Sequence, residues 1–158
     1  MSLKEQFSAE EWTKVSHTPF LVSAAVGIAD PSGPFGMIKE GVALGKAVKR
    51  AMDGAEGELA KAIAIELREH RPSRIDLVGD GPRSKAEAHA NAIEALKAAV
   101  ELAESKASTH APGLKAWLRE IADEIAGAAE EGGFLGIGGE AISEGEAVVV
   151  EAIKAALV

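Results

Sequence analysis

Cysteine and tyrosine are both missing from the 158 residues of this chain. Without thiols there can be no disulfide, no thiolate zinc site, no iron–sulfur cluster and no cysteine nucleophile. A cysteine-free chain is compatible with a reducing compartment. Without a phenol there is no tyrosine acid or base. Aromatic residues are only 4% of the chain, which leaves few surfaces for stacking bases or sugars. Positive charge is also in short supply, with 17 Lys+Arg against 25 Asp+Glu and a formal net charge of −8 at pH 7. That balance repels phosphate backbones and anionic headgroups, so neither nucleic acid nor a membrane is an expected partner. Divalent cations are the small partners such a field favours. Long apolar runs are absent as well. Phe20 to Ala29, interrupted by Ser23 and Gly27, falls well short of the ~20 residues that span a bilayer. Met1-Ser2-Leu3-Lys4-Glu5 lacks the apolar centre of a signal peptide, and the expected location is the cytoplasm.

What the chain does have is alanine, glycine and clear helix punctuation. A chain of this length can bury about 70% of its unfolded surface in one domain. Ser8 with Glu11 forms a capping box that opens a short helix carrying Trp12 and Val15. Thr18-Pro19 reads as cap and first helical residue of a second helix through Phe20, Val22, Ala25, Val26 and Ala29. That helix is apolar around most of its circumference, which places it centrally. Asp30 to Gly36 contains Pro31, Gly33, Pro34 and Gly36 and reads as a loop. A third helix is expected over Met37–Met52. The fourth, over Ala55–His70, has Leu59, Ile63 and Leu67 on one face and ends at Arg71-Pro72.

Ile75-Asp76-Leu77-Val78 is strand-like but has nothing to pair with, and reads as an extended connector. Ser84 and Glu87 open a fifth helix to Lys106, with Ile93, Leu96, Val100 and Ala103 along one stripe. Ser108 to Gly113 reads as a turn before a sixth helix, Leu114–Glu130, carrying Trp117, Leu118, Ile121 and Ile125. A glycine-rich stretch over Gly132–Gly139 follows, and then Ser143 and Glu146 open a last helix through Val149, Ile153 and Leu157. The expectation is therefore all-α: a single compact bundle of six or seven helices over 1–158, with no significant sheet and with 1–7 as a loose lead-in.

The two ends of the chain echo one another. Trp12 leads to Ala29-Asp30, a Gly/Pro loop and then Glu40; Trp117 leads to Ala129-Glu130-Glu131, a glycine loop and then Glu144 and Glu146. Two such halves would pack about a pseudo-twofold axis. The alternative is that helix ends attract glycine and helix starts attract glutamate wherever they occur.

The pattern of Ala29-Asp30, Gly33 and Glu40, repeated as Glu130 or Glu131, Gly133, Ser143 and Glu146, resembles the TerB family of helical tellurite-resistance proteins. Here Asp30 is followed by Pro31-Ser32-Gly33 rather than directly by glycine, and the second half carries Glu in place of Asp. The resemblance implies a non-catalytic, stress-associated helical module. It also implies a divalent-cation site for Ca²⁺ or Mg²⁺ built from Asp30, Glu40, Glu130, Glu131 and Glu146. Carboxylate oxygens suit such hard cations. The plainer reading of Glu146 is a capping-box residue, and of Asp30 an acceptor for loop amides.

Other motifs carry less. Gly136-Ile137-Gly138-Gly139-Glu140-Ala141 fits a dinucleotide fingerprint but follows a helix, not the strand that such a site needs. Gly41 to Lys46 has the wrong spacing for a phosphate loop, and Ala47 follows the lysine. His17, His70, His89 and His110 form neither HExxH nor Glu-x-x-His. Glu56, Glu58, Lys61, Glu66, Arg68 and Glu69 read as a solvated face.

Phe134, Leu135 and Ile137 set three large apolar groups among glycines, and read as a plug on the bundle, as a contact for a protein partner or a second copy, or as a lid over a pocket. Three functional readings follow. The first is the TerB-like module with a divalent cation. The second is a metal-free interaction or scaffold domain, a homodimer using Phe134–Ile137. The third is an enzyme with a carboxylate pair such as Asp30 and Glu146.

Overall fold

The computed structural model describes residues 1–29, 33–73, 76–77, 79–81, 84–130 and 144–158, with backbone only at 29, 33–38, 129–130 and 144–147. Among the described residues there are seven α-helices: α1 (Ala9–Ser16), α2 (Thr18–Ala29), α3 (Gly33–Met52), α4 (Glu58–Glu69), α5 (Lys85–Lys106), α6 (Ala111–Glu130) and α7 (Glu144–Ala156). None of the described residues is in a strand. The chain is an all-α bundle, and no described helix is long and apolar enough to cross a membrane.

The caps explain where several helices begin. At α1 the Ser8 hydroxyl accepts from the Glu11 amide at 3.2 Å, and the Glu11 carboxylate accepts from the Ser8 amide at 2.8 Å. At α5 the Ser84 hydroxyl accepts from the Glu87 amide at 3.1 Å. Other starts differ from expectation. The Thr18 hydroxyl does not cap α2; buried, it donates to the Val15 carbonyl at 2.8 Å and ties α2 back to α1. The third helix begins at Gly33 instead of Met37, because a proline in the first turn loses no helical hydrogen bond. Pro112 does the same for α6, which starts at Ala111. Conversely α4 starts at Glu58, three residues late, because Gly54 and Gly57 have φ of +86° and +94°, outside any right-handed helix. Asp76 and Leu77 lie in a helical turn and not an extended connector. The Asp76 carboxylate accepts from both the amide and the hydroxyl of Ser73 at 2.7 Å, which closes that turn locally.

Nor is the amino-terminal lead-in loose. Lys4–Gln6 form a 3-10 turn, and Phe7 is buried 5.7 Å from the Trp12 ring. Lys4 is paired to Glu66 at 2.6 Å. Burial alone would raise the Glu66 carboxyl, but the Lys4 ammonium holds it below its ordinary value.

The all-round apolar α2 sits at the centre and touches α1, α3, α5, α6 and α7. Around it the core is dominated by alanine: Ala25, Ala47, Ala51, Ala60, Ala64, Ala92, Ala99, Ala103 and Ala122 have no exposed surface. Short side chains let helix axes approach the near end of their usual ~8–10 Å separation. Larger groups such as Leu96, Trp117, Ile121 and Ile153 fill what remains, fully buried, each contributing roughly 1.5–3 kcal/mol by leaving water. α3 packs on α2, α4 and α6, and α4 and α6 also touch one another. That position makes α3 the element on which the functional question turns.

Trp12 lies on α1, separated from Ala29 by the break at His17, whereas Trp117 shares the unbroken α6 with Glu130. Any correspondence between the two halves therefore stops short of the tryptophans.

Candidate functional site

Most of the residues singled out by sequence lie outside the described side chains. Asp30, Glu131, Phe134, Leu135 and Ile137 fall outside the described residues altogether, while Glu130 and Glu146 are described only as backbone, at the end of α6 and the start of α7. Glu40 is the exception. It is only 5% exposed on the inner face of α3, and a β-carbon added at Gly27 of α2 would lie 2.9 Å from its Oε2. Gly27 thus gives α2 the bare patch of backbone that lets a carboxylate sit between two packed helices. Among the described residues no group of three or more His, Asp or Glu side chains converges as a metal site would.

Among the described residues, three surface hollows bear on the site. One, of about 330 Å³, lies where α1 faces α5 and is lined by Glu10, Thr13, Lys14, His17, Asp76 and Ala95, among others. Its charges are satisfied locally: Lys14 pairs with Glu10 at 2.8 Å, and Asp76 is held by Ser73. Burial lowers the His17 imidazole below its ordinary value, against the opposing pull of Asp76. A second hollow, of about 540 Å³, lies between α3 and α6. Its carboxylate, Glu124, is already bound to the Arg50 guanidinium. Arg50 Nε also reaches Glu56 at 3.5 Å, and these bonds, Glu124 first, raise the guanidinium above its ordinary value. Nearby Glu120 is pushed up, first by burial and then by the Glu56 carboxylate.

The third hollow differs in kind. It is a groove of about 260 Å³ between α3 and α4, floored by Phe20, Leu44, Val48, Met52 and Leu67, with Gly41 and Gly45 open along one wall. Its charged groups are Lys49, Arg68 and Arg71, all cations. Among the described residues none of the three has an ion-pair or hydrogen-bond partner. Elsewhere Lys4, Lys14, Arg50, Lys106, Lys115 and Lys154 each hold a carboxylate, while Lys46, Lys61, Lys85 and Lys97 also stand without one among the described residues. What sets the groove apart is that three such cations gather around one apolar floor whose lining holds no carboxylate. On a chain with a net charge of −8, three unpaired cations around apolar surface form an uncompensated positive site. Sequence reasoning passed over it, with Arg68 taken as part of a solvated face and Gly41 to Lys46 tested only as a phosphate loop. The available signal was the charge of α3 itself, where Lys39, Lys46, Lys49 and Arg50 stand against Glu40 alone.

No family model matches the chain, and neither does any curated protein or solved structure.

Proposed function

We propose that this chain is a non-catalytic helical binding module whose α3–α4 groove takes an anionic ligand with an apolar body. One observation carries the reading: an apolar floor rimmed by Lys49, Arg68 and Arg71, with no carboxylate of the described residues paired to them. Water covers such a floor unfavourably, at about 25 cal/mol per Å², and unpaired cations at its rim steer and orient an anion. A cytoplasmic location accords with the cysteine-free composition.

The test uses 8-anilinonaphthalene-1-sulfonate, a small anion with apolar rings. Its fluorescence should rise saturably on titration with the native protein. In the double variant Arg68→Glu/Arg71→Glu, affinity should fall at least tenfold while far-UV circular dichroism stays unchanged. Unsaturable binding, or equal affinity in the variant, would sink the reading.

A second reading follows the TerB resemblance: a stress-associated module holding a divalent cation near Glu40. Its support is that Glu40 is 5% exposed and sits against Gly27, since hard divalent cations favour carboxylate oxygens. Here EDTA-stripped protein would be melted with Ca²⁺ or Mg²⁺ added singly. A cation at 100 times its dissociation constant adds about 2.7 kcal/mol, and Glu40→Gln should abolish the rise. Identical melting with and without each ion rejects this second reading and leaves the first standing.

A further inference from the structure

The groove has a length, a charge pattern and a bare wall, and together they specify an occupant. Gly41, Leu44, Gly45, Val48 and Met52 recur at the three-and-four spacing of a single α3 face, with Leu67 of α4 and Phe20 of α2 lining the same groove. From Gly41 to Lys49 that face runs about 12 Å at 1.5 Å per residue. Anchor side chains at i, i+4 and i+7 of a visiting helix span about 10 Å by the same rise, so two turns of helix fit the stripe. At Gly41 and Gly45 an added β-carbon would meet nothing within 4 Å. The two glycines therefore turn bare backbone toward the groove, and a second helix can settle there without displacing any side chain.

The charges fix the rest. α3 and α4 are joined through the short connection 53–57 and pack on each other, so they run antiparallel. Lys49 lies near that connection; Arg68 and Arg71 lie at and just beyond the far end of α4. Cations thus mark both ends of the apolar stripe. A fatty acid or similar amphiphile brings one anionic head and needs one cationic end. Small ligands also bury some 70–90% of their surface in a pocket, and this groove lies open between two helices. An extended nucleic-acid strand is disfavoured by the net charge of −8.

We infer, resting on the binding-module reading above, that the groove receives an acidic amphipathic helix from a partner protein. Leucine-sized side chains at i, i+4 and i+7 of that helix lie along the floor. Aspartate or glutamate residues flank them, meeting Lys49 at one end and the forked guanidinium groups of Arg68 and Arg71 at the other.

The probe is a fluorescein-labelled 16-residue peptide with leucines at three such positions, glutamates flanking them and alanines elsewhere. It has two twins, one with lysine for every glutamate and one with two central prolines. Fluorescence anisotropy with the full chain at low salt should give saturable binding of the acidic peptide. Binding should be at least tenfold weaker for the lysine twin and for the proline twin, and should weaken as salt is added. Gly41→Leu/Gly45→Leu, which fills the groove at two positions with room for a side chain, should cost at least tenfold while the protein keeps its circular dichroism spectrum. Equal binding of either twin, or no effect of the double leucine variant, overturns the inference. So does competition for the anilinonaphthalene dye by decanoate but not by the acidic peptide; the groove is then a small-amphiphile site and only the binding-module reading survives. A dimer in sedimentation equilibrium that Gly45→Leu dissociates makes a second copy the occupant, and likewise overturns it. If dye and peptide both fail to bind, the binding-module reading falls as well.

Discussion

The two faces of α3 are built from the same helix and treated in opposite ways. The inner face, with Glu40, Ala47 and Ala51, is buried. It is packed so closely that its one carboxylate, Glu40, lies against a glycine of the neighbouring helix. The face toward α4 holds Gly41, Gly45, Val48 and Lys49, open to solvent in whole or in part, and Lys49 has no partner among the described residues. Close packing on one side and spare room on the other mean that equal substitutions should have opposite consequences. The inner face secures the fold, and the outer one is left for something that arrives later.

The sharpest contrast comes from the helices that the inner face rests on. Trp117→Ala, in the middle of α6 with no exposed surface, should cost about 3–5 kcal/mol by transfer and cavity terms, read from urea unfolding. Next, Ala47→Leu on the inner face should overpack a fully buried site and cost about 1–3 kcal/mol. Gly45→Leu, two residues earlier on the open face, should cost nothing measurable. Equal losses from these two leucines would erase the distinction between the faces.

Two of the glycines in α2 and α3, Gly27 and Gly45, make the same comparison at the scale of one methyl group. Gly27→Ala must push the end of the buried Glu40 side chain from its place, which offsets the helix-propensity gain of about 0.5–1 kcal/mol. Gly45→Ala meets open space and should stabilise by about 0.5–1 kcal/mol through helix propensity. Differential scanning calorimetry should show a higher melting temperature for Gly45→Ala than for Gly27→Ala, and equal gains would contradict the contrast.

A smaller effect should appear with acid, and away from α3. The imidazoles of His17 and His89 are both lowered from the ordinary value of 6.5 by burial, and the His89 Nε2 is buried with no hydrogen-bond partner among the described residues. A histidine whose native-state value is depressed binds its proton more readily in the unfolded chain. Its contribution is present above about pH 6.5 and is lost as pH falls through the native-state value. The melting temperature should therefore decline as pH drops below about 6.5, and His89→Gln should flatten that decline. A flat profile in the native protein would show that burial of these rings has been overstated.

Much of the fold was legible in the sequence because its cues are local. Ser8–Glu11 and Ser84–Glu87 announce their helices, and the unbroken apolar circumference of Phe20 to Ala29 announces the centre of the bundle. Where local cues conflicted, tertiary packing or backbone geometry decided. Pro34 and Pro112 proved to be first-turn residues inside helices, and Gly57 delayed α4 because its φ is positive. The acidic-turn site rests on residues that, Glu40 apart, lie outside the described side chains. The α3–α4 groove was invisible for a different reason. Leu67 and Arg68 are separated by some twenty residues from Gly41 and Gly45, and only the antiparallel return of α4 brings them to one surface. No periodicity within a single helix records that meeting. Glycines at 41 and 45 inside a lysine-rich helix of an acidic protein were the available hint.

The most direct test of the α3–α4 groove as a docking surface is an amide ¹H–¹⁵N correlation spectrum of the native chain, titrated with 8-anilinonaphthalene-1-sulfonate. Shifts concentrated at Gly41, Gly45, Val48, Lys49, Leu67, Arg68 and Arg71 are the expected result. Shifts confined to the α1–α5 or α3–α6 hollows, or scattered evenly over the bundle, would contradict it.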